Sequence, residues 1–293
     1  MANIISGIEL SAKLKASFCK EVQDLKAKGV VPGLGVILVG DNPASHSYVT
    51  AKEQDCKEVG ILSKDCRLSS STTQEELLAI IEEMNNDPTL HGILVQLPLP
   101  KTIDQQKIIY AISPQKDVDG FHPVSIGKMV LGEETFLPCT PHGVIKLLEF
   151  ANIPTQAKEV VIIGRSNIVG KPLANLLLRR GLYGDATVSV CHSATPDIAK
   201  ISKQADILIV AVGSPNIVTA NMVKPGAVVI DVGVNRIPDS TKKSGFRLCG
   251  DVDFESVKEV AKAITPVPGG VGPMTRTMLL YNIIQSAKRS LLS

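Results

Sequence analysis

Tryptophan is absent from this chain, and aromatic residues make up only 3% of its 293 residues. Its core must therefore be aliphatic (Val, Ile, Leu, Ala), which suits sheets buried on both faces better than β-sandwiches. Basic runs are also missing and the formal net charge is +2, so there is no electrostatic footprint for nucleic acid. No CxxC pair occurs among the six cysteines, at 19, 56, 66, 139, 191 and 249. That spacing suggests neither a zinc site nor a disulfide framework, and reduced thiols in the cytosol are expected, with no bound metal. The longest apolar runs, such as 207–212, are too short to span a bilayer. Residues 1–15 alternate apolar and polar, without the apolar centre of a signal peptide. The expectation is a soluble cytoplasmic protein that binds small molecules, with no nucleic-acid or membrane partner.

What is present reads as a folded α/β chain. Apolar residues make up 44% and charged residues 20%, a globular balance, and the length accommodates two domains. Segments 35–39 (GVILV), 92–96 (GILVQ), 160–164 (VVIIG), 186–191 (ATVSVC), 207–212 (ILIVAV) and 228–232 (VVIDV) read as buried strands. Helical patterns lie between them. Thr73 with Glu76 forms a capping-box pattern ahead of 77–84, and Asp253 is placed to cap 255–264. The alternation predicts right-handed βαβ units and mostly parallel sheets. A stretch rich in turn formers, 116–142, marks the clearest break. A helix at 144–150 follows it, and a last helix covers 274–291. The expected division is 1–143, joined by 274–293, against 144–273.

The second half carries a nucleotide-binding signature. Strand 160–163 runs into Gly164-Arg165-Ser166-Asn167-Ile168-Val169-Gly170-Lys171-Pro172 and then a helix. Such a unit aims backbone N–H groups and a helix N-terminus at a phosphate. Gly164 allows the tight turn and Gly170 the close packing of helix on strand, although an ordinary βα connection also needs glycine and the spacing is not GxGxxG. The next strand ends Cys191-His192-Ser193, without the carboxylate that binds ribose hydroxyls in NAD sites. Arg165 and Ser193 are placed to hold a 2′-phosphate, which favours NADP. The alternatives are a surface arginine and a serine that caps a helix.

In the first half, Asn42 is set to cap a helix beginning at Pro43, with Ser45, Tyr48, Lys52, Cys56 and Val59 on one face. Lys52 on that face is either a snorkelling side chain or a desolvated general base near a phenol. Gln96 follows a strand at the end where open α/β sheets place ligands, and its amide needs a partner. Asp117 and Asp119, in KDVDGFH at 116–122, are either an Asp-Gly turn or a carboxylate that accepts from a heterocycle. No acidic or histidine set completes a metal site around them.

Taken in order, these segments resemble the bifunctional methylenetetrahydrofolate dehydrogenase/cyclohydrolase family. The likeness rests on VGDNPAS at 39–45 with Tyr48 and Lys52, VQLPLP at 95–100, KDVDGFH at 116–122 and PCTPHG at 138–143. It continues through GRSNIVGKP at 164–172, CHS at 191–193, DVGVNR at 231–236, GDVDF at 250–254 and PGGVGPMT at 268–275. The resemblance implies two α/β domains flanking a cleft, the second a Rossmann-like NADP-binding domain, in a cytoplasmic homodimer that serves purine biosynthesis. It implies oxidation of methylenetetrahydrofolate with NADP and hydrolysis of the methenyl product. Lys52 is then the central catalytic residue, with Tyr48 stacking on folate, Gln96 positioning the lysine and Asp119 holding the pterin. Val95, Leu97 and the loop Pro268, Gly269, Gly270, Val271 and Gly272 line the folate pocket. Gly164, Arg165, Ser166, Gly170, Ser193 and Val234 contact the dinucleotide. The rivals are a nicotinamide dehydrogenase for a small hydroxy acid, a family member with the dehydrogenase alone, and a nucleotide-sensing protein without catalysis.

Overall fold

The computed structural model describes residues 1–242 and 245–291, except the side chain of Ala44. The last two residues of the expected segment 274–293 therefore lie outside the described residues. The chain divides into two units, Met1–Ser11 with Thr140–Thr275, and Ala12–Cys139 with Arg276–Ser293.

The second of these is built on a three-stranded parallel sheet, with Gly33–Val39 at its centre between Leu62–Leu68 and Gly92–Val95. Every residue of the central strand is buried, as expected of an apolar run covered on both faces. Helices Pro43–Val59 and Gln74–Asn86 make the crossovers. Thr73 and Glu76 form the expected capping box, each side chain bound to the other's backbone. Leu77, Ile81 and Met84 of that helix pack on Ile37, Val39, Ile93 and Val95 of the sheet. The final helix, Val271–Arg289, is tied to this unit by Asn282, whose Nδ2 donates to Val118 O at 2.8 Å and Leu137 O at 3.0 Å.

The other unit holds six parallel strands in the order Asn3–Ile4, Ala263–Ile264, Val228–Asp231, Ile207–Val210, Glu159–Ile163 and Thr187–Cys191. Glu159–Ile163 has the next strand in sequence on one side and Ile207–Val210 on the other. The direction of winding reverses there, the place where doubly wound sheets open a crevice. The first eleven residues belong here, rather than with 12–139, because Asn3 and Ile4 pair with Ala263 and Ile264.

Three local expectations differ from the structure. The segment 116–142 contains a helix, Pro123–Leu131, with Pro123 at its start and His122 Nδ1 accepting from Val124 N at 3.1 Å. Asp253 makes no side-chain cap bond and its helix is only Phe254–Val257, because Ala263–Ile264 joins the sheet. The helix expected at 144–150 begins earlier, at Cys139.

Candidate active site

Asn42 Oδ1 accepts from Ser45 N at 3.3 Å as the helix Pro43–Val59 begins. The helix then sets Tyr48 and Lys52 one turn apart on one face, with Lys52 Nζ 5.5 Å from the Tyr48 ring centroid. Lys52 is only 7% exposed, so its head does not snorkel. Burial holds its amine below the usual lysine value, opposed by the nearby Asp119 carboxyl. The amine donates to Gln96 Oε1 at 3.1 Å, and Gln96 Nε2 donates to Leu97 O at 2.7 Å. Gln96 stands just past the strand Gly92–Val95, so sheet and helix together fix the lysine's direction.

The structure separates the two aspartates of KDVDGFH. Asp117 is buried and turned inward, accepting from Phe121 N at 3.1 Å, His122 N at 2.8 Å and Ser125 Oγ at 2.6 Å. It is the turn former, and burial still lifts its carboxyl to about 6. Asp119 makes no hydrogen bond among the described residues, and burial raises its pKa while Lys52 pulls it down. The segment is docked on the strand that leads to Gln96: Ile93 N donates to Lys116 O at 2.8 Å, and a Cβ on Gly92 would lie 2.5 Å from Val118. A cavity of about 20 Å³ lies among Ile93, Val95, Leu97, Asp119 and Phe121. Tyr48 is 38% exposed, and its hydroxyl titrates above the usual value, chiefly through desolvation.

Lys52, Tyr48, Gln96, Val95, Leu97 and Asp119 thus belong to one unit. Pro268, Gly269, Gly270, Val271 and Gly272 belong to the other, where Gly269 O accepts from Gly7 N at 2.9 Å and Ile8 N at 3.2 Å.

In the six-stranded unit, Gly164 follows the central strand with φ 124°, and a Cβ there would lie 2.2 Å from Ala211 O. A Cβ on Gly170 would lie 2.0 Å from Gly164 O, so both glycines are dictated by backbone approach. Ser166 Oγ accepts from Val169 N at 3.1 Å and closes the turn ahead of helix Gly170–Leu177. Ile163 and Cys191 are register partners, so Arg165 and Ser193 leave adjacent strands at the same sheet end. Both are exposed, and Arg165 forms no ion pair among the described residues. Val234, 51% exposed, follows the strand Val228–Asp231. A glycine turn without room for a side chain, an uncommitted arginine and a second strand ending without a carboxylate fit a 2′-phosphorylated dinucleotide.

Known families match both halves of the chain. The tetrahydrofolate dehydrogenase/cyclohydrolase catalytic-domain model matches residues 5–119, and the NAD(P)-binding-domain model matches 138–291. The chain belongs to the tetrahydrofolate dehydrogenase/cyclohydrolase family. Among its relatives, the bifunctional protein FolD of Geobacillus thermodenitrificans is 57% identical over 288 residues, covering 98% of each chain. The bifunctional FolD dehydrogenase/cyclohydrolase structure from Campylobacter jejuni is 50% identical with a TM-score of 0.93, covering 99% of this chain and 100% of its own. That from Trypanosoma brucei, complexed with NADP cofactor and inhibitor, is 38% identical with a TM-score of 0.95, covering 100% and 99%.

Three further residues of the same unit stand out. Cys139 and Arg276 lie near Lys52, and the Arg276 charge pushes its amine toward the neutral form. Asp55, 4% exposed, accepts from Lys15 and lies 3.2 Å from Arg276 Nε. A carboxylate three residues beyond Lys52 on the same helix was the available signal for Asp55. Arg276 directly follows the PGGVGPMT segment.

Proposed function

We propose that this chain oxidises 5,10-methylenetetrahydrofolate to 5,10-methenyltetrahydrofolate with NADP, and hydrolyses that product to 10-formyltetrahydrofolate at the same set of residues. The observation that carries the reading is a buried lysine held by Gln96 at 3.1 Å, beside the Tyr48 ring and an Asp119 carboxyl that makes no hydrogen bond among the described residues.

NADP supplies the hydride acceptor when bound; Gly164, Arg165, Ser166, Gly170, Ser193 and Val234 hold it. The hydride leaves a carbon between two nitrogens whose lone pairs stabilise the resulting cation. The protein's task in that step is therefore placement. Tyr48 offers a flat ring for the folate to stack on, and Asp119 accepts hydrogen bonds from the pterin, which brings the donors it lacks. Val95 and Leu97 add lining for the folate.

Hydrolysis needs proton transfer. Water loses one proton as its oxygen bonds to the methenyl carbon and the other as the formyl C=O forms. The ring nitrogen gains one as its bond to that carbon breaks, and the remaining proton leaves to solvent, which discharges the cation. Lys52, whose amine desolvation shifts toward the neutral form, takes the first proton and returns one to the ring nitrogen. Gln96 keeps the amine aimed, and the nearby Arg276 guanidinium favours its neutral form. We place the enzyme in the cytoplasm as a homodimer, supplying formyl groups to purine biosynthesis.

Product analysis after incubation with methylenetetrahydrofolate and NADP tests the reading. Formyl product with reduced cofactor is expected; methenyl product that accumulates at the buffer's own rate of decay would remove the hydrolase half.

A further inference from the structure

Two buried aspartates of the six-stranded unit lie outside the residues assigned above. Asp231 closes the strand Val228–Asp231 and is 3% exposed; Asp251 is fully buried. Neither meets a cation among the described residues: each is surrounded by backbone amides. Asp251 accepts from three consecutive amides, Val212 N at 2.7 Å, Gly213 N at 2.9 Å and Ser214 N at 2.9 Å, and from Asn235 Nδ2 at 2.8 Å. Asp231 accepts from Gly233 N, Asp251 N and Val252 N, each at 3.0 Å. The second carboxylate thus holds the backbone of the first. The glycines between them leave no slack: a Cβ on Gly233 would lie 2.1 Å from the Asp251 carboxyl, and one on Gly250 would lie 1.7 Å from Asp231 Oδ2.

The segments so gathered are the loops that follow strands Ile207–Val210 and Val228–Asp231. These strands form the half of the sheet across the winding reversal from the Gly164 turn, and that turn touches the start of the first loop at Ala211 O. In a doubly wound sheet the two halves each take one nucleoside of a dinucleotide. The Gly164–Arg165 and Ser193 half takes the adenosine and its phosphates. The half gathered by the aspartates exposes Val212 at 39%, Ile217 at 46% and Val234 at 51%, an apolar surface for the second nucleoside. A buried carboxylate with its acceptor sites filled by amides is a costly group to retain, and here its whole bonding capacity goes into fixing these loops.

We propose that Asp251, backed by Asp231, is a positioning residue for the nicotinamide half of the dinucleotide. This rests on the NADP reading above. The pair presets loops 212–214 and 233–235 so that their apolar side chains stand ready before the ligand arrives, which lowers the ordering cost of binding.

The test compares NADP with 2′,5′-ADP, which has the adenosine half alone, by calorimetric titration of the full chain. Asp251→Asn exchanges an acceptor for a donor against three amides. It should weaken NADP by about tenfold or more while 2′,5′-ADP stays within about twofold. Amide hydrogen exchange at Val212, Gly213 and Ser214 should quicken in the free protein. Asn235→Ala, which loses one bond to the same carboxylate, should weaken NADP by about threefold with the same selectivity, and it decides the matter if Asp251→Asn does not fold. Unchanged NADP affinity in a folded variant, or equal weakening of both ligands, would overturn the proposal. Failure of the unaltered chain to bind either ligand would instead overturn the NADP reading itself.

Discussion

Replacing Lys52 with methionine separates the two reactions. Methionine keeps most of the apolar stem in a site only 7% exposed and removes the amine that donates to Gln96 at 3.1 Å. Proton transfer by a placed group is worth about two to four orders of magnitude, or roughly 3–5 kcal/mol of barrier. Methenyl hydrolysis should therefore fall by at least about a hundredfold. The lost lysine–glutamine bond leaves one amide oxygen without its donor, at a cost of about 1 kcal/mol, so the dehydrogenase should lose about tenfold at most through poorer placement. Burial holds the Lys52 pKa below that of an ordinary lysine. The wild-type hydrolase rate should rise with pH through that depressed value, as the neutral amine appears, and the variant should lose that rise. Between the ordinary lysine value and the depressed one the unfolded chain is protonated and the folded chain is not, so the stability advantage of Lys52→Met over the wild type should grow as pH falls across that window and level off below the depressed value. The assay is decay of methenyltetrahydrofolate absorbance, with substrate supplied directly and then formed in place with NADP. A variant that hydrolyses supplied methenyl substrate well above the buffer rate would refute the proton-transfer role. Loss of both activities by a folded variant would make the lysine a placement group instead.

Arg165→Ala should raise the Michaelis constant for NADP by about tenfold or more, the worth of a charge-assisted pair, and that for NAD far less; equal changes would show that Arg165 does not read the phosphate. Asp119→Ala should weaken folate binding and lower both activities, whereas Asp119→Asn should do so less selectively, because its amide mismatches one donor; unchanged folate affinity measured by titration would end its role in substrate binding. Thr73→Ala removes the capping box and should cost about 1 kcal/mol in denaturant unfolding, with both activities intact at permissive temperature.

The legible part of the fold was its buried strands. Gly33–Val39, Gly92–Val95, Glu159–Ile163, Ile207–Val210 and Val228–Asp231 are apolar runs covered on both faces, and such runs declare themselves. Leu62–Leu68 escapes the pattern: LSKDCRL is an edge strand with no fully buried residue, made a strand by pairing with Gly33–Val39. The antiparallel hairpin Asn235–Pro238 with Phe246–Cys249 is likewise set by partner rather than by composition. At the site, the helical spacing of Tyr48 and Lys52 was readable because it is local. The different fates of Asp117 and Asp119 were not, since they depend on where Phe121, His122 and Ser125 turn back. Asp55 lies one turn past Lys52 and was findable locally, but its pairing with Arg276 joins residues far apart in sequence and has no local signature.

The central claim is that one set of residues around Lys52 serves both reactions. Titrating a single folate analogue that lacks the one-carbon bridge, against the dehydrogenase and the methenyl hydrolase in parallel, tests it directly. Shared residues predict the same inhibition constant for both activities; hydrolysis that continues undiminished at analogue concentrations that stop oxidation would contradict it.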